Sequence, residues 1–67
     1  MFFLCTVYTD EGDYYRYVAS TGSEFHAARL ARNHAKNEGL IVEDVEAEIF
    51  DTFEHGDPDD YEIITAS

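Results

Sequence analysis

Apolar and polar positions divide the chain into four strand-like runs and one helical run. Phe2 to Thr9 is rich in aromatic and β-branched residues and predicts a first strand. Asp10-Glu11-Gly12-Asp13 breaks it with turn residues, Gly12 being suited to a positive φ. Tyr14 to Ala19 resumes strand character, so the first two strands should form a hairpin with a loop of about four residues. Thr21-Gly22-Ser23-Glu24 fits a capping box, with the Thr21 hydroxyl and the Glu24 carboxylate satisfying first-turn amides. The helix it opens should run to about Glu38 and stop at Gly39. At 100° per residue, Ala27, Ala28, Leu30, Ala31 and Ala35 fall on one arc, the face expected to pack on the sheet.

Beyond Gly39 the period returns to two. Val45, Ala47 and Ile49 alternate with Glu46 and Glu48, predicting a long third strand from Leu40 to Phe53. His55-Gly56-Asp57-Pro58-Asp59-Asp60 reads as a turn, and Tyr61 to Thr65 as a last strand returning antiparallel. The expected fold is α+β: one β-β-α-β-β domain over residues 1–67, with an antiparallel four-stranded sheet and a helix on one face. No repeat, linker or low-complexity segment interrupts it.

Charge changes this picture most. Fifteen acids against four bases give a net charge of −11 at pH 7. A domain this size has a radius of gyration of about 11 Å, close to the Debye length of about 8 Å at physiological salt. The acids therefore feel one another, and compact folding costs self-repulsion. They are also unevenly placed. Residues 1–37 hold four acids and four bases, whereas residues 38–67 hold eleven acids and no base. Glu46 and Glu48, on one strand face about 6.6 Å apart, begin a row of same-face anions that Glu62 on a neighbouring strand would widen. Such a row resembles nucleic-acid phosphates in charge and scale, and would attract a protein that binds DNA through Lys and Arg. The residues expected to meet that partner are Glu43, Asp44, Glu46, Glu48, Asp51, Glu54, Asp57, Asp59, Asp60 and Glu62. The competing reading is that the acids serve solubility, as in a halophile. Their one-sided placement favours binding, because a general adaptation to salt would spread acids over every exposed surface.

Aromatics supply a second candidate surface. Tyr8, Tyr14, Tyr15, Tyr17, Phe50 and Tyr61 exceed what one helix can cover on a four-stranded sheet. Tyr8, Tyr15, Tyr17 and Phe50 are the candidates for an aromatic interface, for which tyrosine suits by its apolar body and polar tip. The alternatives are a second small core and a homodimer through that face.

Candidate catalytic chemistry is sparse. His26 and His34 lie two turns apart and about 80° round the helix axis, so they cannot chelate one ion together. His34 falls in the apolar arc and reads as a hydrogen-bonded core histidine, and His55 sits in the acidic turn. Cys5, the lone cysteine, lies in a strand expected to be buried, where a thiol behaves as a small hydrophobe. The Glu54 to Asp60 turn lacks the spacing of a calcium loop, and the scattered glycines build no phosphate loop. Arg29, Arg32 and Lys36 form a basic stripe that reads as a source of ion pairs, and the charge disfavours direct nucleic-acid binding. The sequence thus predicts no enzyme, cofactor or metal site. A free thiol fits a reducing cytoplasm, and the apolar start, Met-Phe-Phe-Leu-Cys, is too short to span a bilayer or serve as a signal peptide.

The stretch from Tyr17 to Glu48, YVASTGSEFHAARLARNHAKNEGLIVEDVEAE, resembles a strand-helix-strand pattern common in small phage- and plasmid-encoded proteins. Its marks are Val18-Ala19, the cap at Thr21 to Glu24, the Ala-rich helix and the acidic strand from Val45. Acidic anti-defence proteins of that group, anti-CRISPR and anti-restriction, occupy DNA-binding surfaces. The resemblance implies a DNA mimic that inhibits a nucleic-acid-binding defence protein in the host cytoplasm, and carries over no catalytic residue. The alternative is a halophilic or phage accessory protein that oligomerises through its tyrosine-rich face.

Overall fold

The computed structural model describes residues 1–65. Strands β1 (Phe2–Thr9) and β2 (Tyr14–Ser20) form the expected hairpin, followed by helix α1 (Glu24–Asn37) and strand β3 (Val42–Ile49). A short helix α2 (Thr52–His55) and a 3-10 turn (Pro58–Asp60) then lead to strand β4 (Glu62–Thr65). The sheet order is β3-β1-β2-β4.

The expected second hairpin does not form. β3 stops at Ile49 and pairs antiparallel with β1, while β4 pairs parallel with β2 at the opposite edge. The sheet is therefore mixed, not antiparallel throughout. Local chemistry accounts for the difference. Beside β3, Glu62 would face a strand already dense in carboxylates, and directly opposed like charges destabilise a sheet. Beside β2, Ile63 and Ile64 take positions opposite Val18 and Ala19, and Ile64 joins the core. β3 and β4 consequently run parallel, and parallel strands need a crossover of about a dozen residues. Residues 50–61 provide it, breaking into α2 because Asp51 Oδ1 accepts from the Phe53 amide and Gly56 ends the turn at φ 89°.

The start of α1 also differs. Ser23 is the N-cap, with extended backbone and Oγ accepting from His26 N at 3.1 Å. A capping box counted from Ser23 would need Glu or Gln at position 26, where His26 stands. Thr21 instead meets His26 Nδ1 through its hydroxyl at 2.8 Å. The other end is as expected. Gly39 has φ 88°, its amide bonds Lys36 O, and Leu40 N bonds Ala35 O, a Schellman closure that only glycine enters without strain.

Ala27, Ala31 and Ala35 form the fully buried line of α1 and lie against Phe3, Cys5, Val7, Tyr17 and Ala19. Methyl side chains on the helix bring its axis close to the sheet, leaving Leu30, Leu40, Val42, Val45, Ala47 and Ile64 to seal the margins. The other sheet face is covered as well. Leu4 and Val18 alternate away from the α1 face, yet are 4% and 0% exposed. Residues 50–61 cross that face, with Phe50 edged against the rings of His55 and Tyr61. No helix among the described residues is long and apolar enough to cross a membrane.

Candidate functional site

Register places the predicted acids. Thr6 pairs with Glu46, Leu4 with Glu48 and Tyr8 with Asp44, so Asp44, Glu46 and Glu48 share the sheet face opposite α1, in a row along an edge strand. All three are exposed. Asp51 and Glu54 follow where the crossover leaves β3, with a Glu54 oxygen within 4.8 Å of Glu48, and Asp57, Asp59 and Asp60 lie exposed further along it. Glu43 stands at the irregularity where the pairing shifts between Tyr8 and Thr9. Glu62 departs from the expectation most clearly. It pairs with Tyr17, on the α1 side and at the far edge from Glu46 and Glu48, so it does not widen their row.

Several of these carboxylates already hold the fold. Asp44, Asp51 and Asp57 each accept from a nearby backbone amide at 2.9 Å, and the Tyr8 hydroxyl reaches Glu46 at 3.4 Å. Among the described residues, no Lys or Arg side chain reaches ion-pair distance of any carboxylate. The three acid–base contacts present all use histidine. The basic stripe of Arg29 and Arg32 borders a shallow groove with Phe25, Ala28 and Val45, and so leaves the acidic row uncompensated. With no cation alternating along it, β3 presents like charges beside an unpaired sheet edge, which discourages strand addition from another chain.

The four aromatic candidates do not share one surface. Tyr17 is buried beneath α1, with its hydroxyl donating to Glu38 Oε1 at 3.0 Å. Burial first, then the bond to Glu38, pushes its phenol up to about 12. Tyr15 is exposed on the same sheet face. Tyr8 lies on the opposite face beside Tyr14, their ring centroids 6.4 Å apart, and Phe50 belongs to the crossover cluster.

Two histidine–carboxylate clusters complete the inventory. On the crossover side, His55 Nε2 lies 2.8 Å from Glu48 Oε1, with Glu54 adjacent. On the α1 side, His34 Nε2 contacts Glu62 Oε2 and lies 3.4 Å from Glu38 Oε1. Local sequence pattern does not reveal this second group. His34 and Glu38 stand four apart on a helix, a spacing that puts both on one face, but the third member arrives only through the parallel pairing of β4. No family model matches this chain, and no curated protein or solved structure does so either. Fold and surface together define a small acidic α+β protein with a mixed sheet covered on both faces.

Proposed function

We propose that this protein acts by binding, not catalysis, and that it offers its crossover face to a basic, nucleic-acid-binding protein as a substitute for phosphates. The observation that supports this reading is the row of Asp44, Glu46 and Glu48 on one face of β3, with Glu54 beside Glu48, Asp51, Asp57, Asp59 and Asp60 exposed on the crossover, and no Lys or Arg paired to them among the described residues. Carboxylates left without counterions repel each other at the cost of stability. A partner rich in Arg and Lys would relieve that repulsion on docking and would be drawn in at a rate that falls with salt. An anti-defence inhibitor of the anti-CRISPR or anti-restriction kind is the role such a surface suits best.

The test is competition. Glu46→Lys with Glu54→Lys reverses charge while sparing the backbone caps at Asp44, Asp51 and Asp57. A captured host protein should bind DNA, release it when this protein is added, and lose this protein when both charges are reversed. A captured protein that holds DNA and this chain together, or one indifferent to the charge reversal, refutes the mimicry.

A further inference from the structure

We propose that His34, Glu38 and Glu62 form a site for one divalent transition-metal ion of the zinc class, joining the end of α1 to β4. This goes beyond the acidic-face reading and does not depend on it. The imidazole and the two carboxylates place one donor atom each within 4.8 Å of one another. His34 stands in the last turn of α1, Glu38 is that helix's C-cap, and Glu62 comes from the strand beside Tyr17.

The second observation concerns His34 Nε2. This nitrogen is fully shielded from solvent and faces both carboxylates at ion-pair distance, yet meets neither in hydrogen-bond geometry. The nitrogen is thus in contact with carboxylate oxygens but hydrogen-bonded to none, and a metal ion seated among the three would bond each donor directly. The spacing suits one. Two donors each about 2.1 Å from a tetrahedral zinc ion lie roughly 3.4 Å apart, and Nε2 and Glu38 Oε1 are 3.4 Å apart. Glu62, about half exposed, has room to withdraw from its direct contact and admit the ion. The surroundings hold the donors in place. The Tyr17 hydroxyl bonds Glu38, and the Tyr17 ring meets the His34 ring edge-on at 5.0 Å, an outer shell of the sort that orients metal ligands. A groove of about 320 Å³ between Tyr15, Leu40 and Glu62 opens beside the cluster and gives an ion a path.

The His55 cluster provides the contrast. There Nδ1 accepts from the Asp51 amide at 3.1 Å, which leaves the ring proton on Nε2, facing Glu48 at 2.8 Å. Metal binding through Nε2 would move that proton onto Nδ1 and against the Asp51 N–H. Both nitrogens of His55 are engaged in hydrogen-bond geometry, whereas His34 Nε2 touches its carboxylates without forming a hydrogen bond to either.

Full-length protein, stripped with chelator, should be titrated with Zn²⁺ by calorimetry and with Co²⁺ by visible absorption. One ion per chain is expected, with cobalt bands of low coordination number. His34→Gln and Glu62→Gln should each weaken binding by at least about 10-fold, and Tyr17→Phe by about 10-fold through the outer shell. His55→Gln should leave the site unchanged. Circular dichroism of the metal-free variants separates lost ligands from lost folding, and Glu62→Gln, at a half-exposed position, is the variant least able to disturb the core. Absence of stoichiometric binding, binding that follows His55 instead of His34, or several weak sites indifferent to both would each overturn the proposal.

Discussion

The Tyr17 hydroxyl donates to Glu38 Oε1 at 3.0 Å, tying the middle of β2 to the C-cap of α1. Burial and that bond hold the phenol protonated up to about 12, against an ordinary value of 10.0. The folded state therefore favours the proton. The stabilisation is complete below pH 10 and drains away as pH climbs through 12. In chelator-treated protein, Tyr17→Phe should cost about 1 kcal/mol near neutrality and flatten the loss of stability between those two pH values. Urea melts across the alkaline range measure both. A mutant whose alkaline limb falls as steeply as the parent's would show that Tyr17 does not carry it.

Cys5 should be silent to thiol reagents in the native protein. Its side chain is fully buried, its Sγ sits 3.5 Å from Ala27 O, and burial pushes the thiol up to about 11. At pH 8 it is both protonated and covered. Iodoacetamide should modify it at least about 100-fold more slowly in buffer than in denaturing urea. Equal rates in the two conditions would mean that α1 does not seal the sheet over β1.

His55 should be the pin of the crossover. It accepts from Asp51 N and reaches Glu48 on β3, while its own carbonyl accepts from the Tyr61 hydroxyl at 2.9 Å. His55→Ala removes the ring's bonds to Asp51 N and Glu48 and should cost about 0.5–1.5 kcal/mol. It should also speed amide exchange in residues 50–61 and at Leu4 and Val18 beneath them, with α1 affected less. Uniform acceleration over the whole chain, or none in the crossover, would contradict this account.

Salt offers a separate measurement of the acidic surface. Raising NaCl from 0.01 M to 1 M shortens the Debye length from about 30 Å to about 3 Å, and at −11 the relief of repulsion should raise Tm. A gain of about 1 kcal/mol corresponds to roughly 4–8 °C for a domain of this size. The chain should nevertheless be folded in dilute buffer. Circular dichroism of an unfolded chain there would favour obligate adaptation to salt over partner binding.

What could be read ahead of the structure followed the range of the interactions involved. β1, β2 and α1 are encoded by neighbours: alternation, a turn at Gly12, a stop at Gly39. The alanines at 27, 31 and 35 face the sheet because a helix repeats every 3.6 residues, whatever the sheet's order. The choice of partner for β4 is not local. It depends on like charges in β3 being kept from Glu62 and on Ile64 finding the core beside Ala19, a partner far back in the chain. An antiparallel return was the simpler expectation, and it failed there. The His34 group is hidden for the same reason, because local pattern leaves open which edge Glu62 joins. Asp44, Glu46 and Glu48 are easier, since a period of two puts them on one face whichever strand lies beside β3.

The strand order has a kinetic corollary. Among the described residues, β1 and β2 are the only strands joined by a short turn, so their pairing can close early and alone. β3 must wait for α1 to be laid down, and β4 docks on β2 only after the chain has passed over the entire sheet. Self-assembly should accordingly start at the β1–β2 turn and finish with β4, at a rate governed by distant pairings. An intermediate lacking β4 would expose Val18 and Ala19 at an open strand edge, the point at which two unfinished chains would be most apt to join.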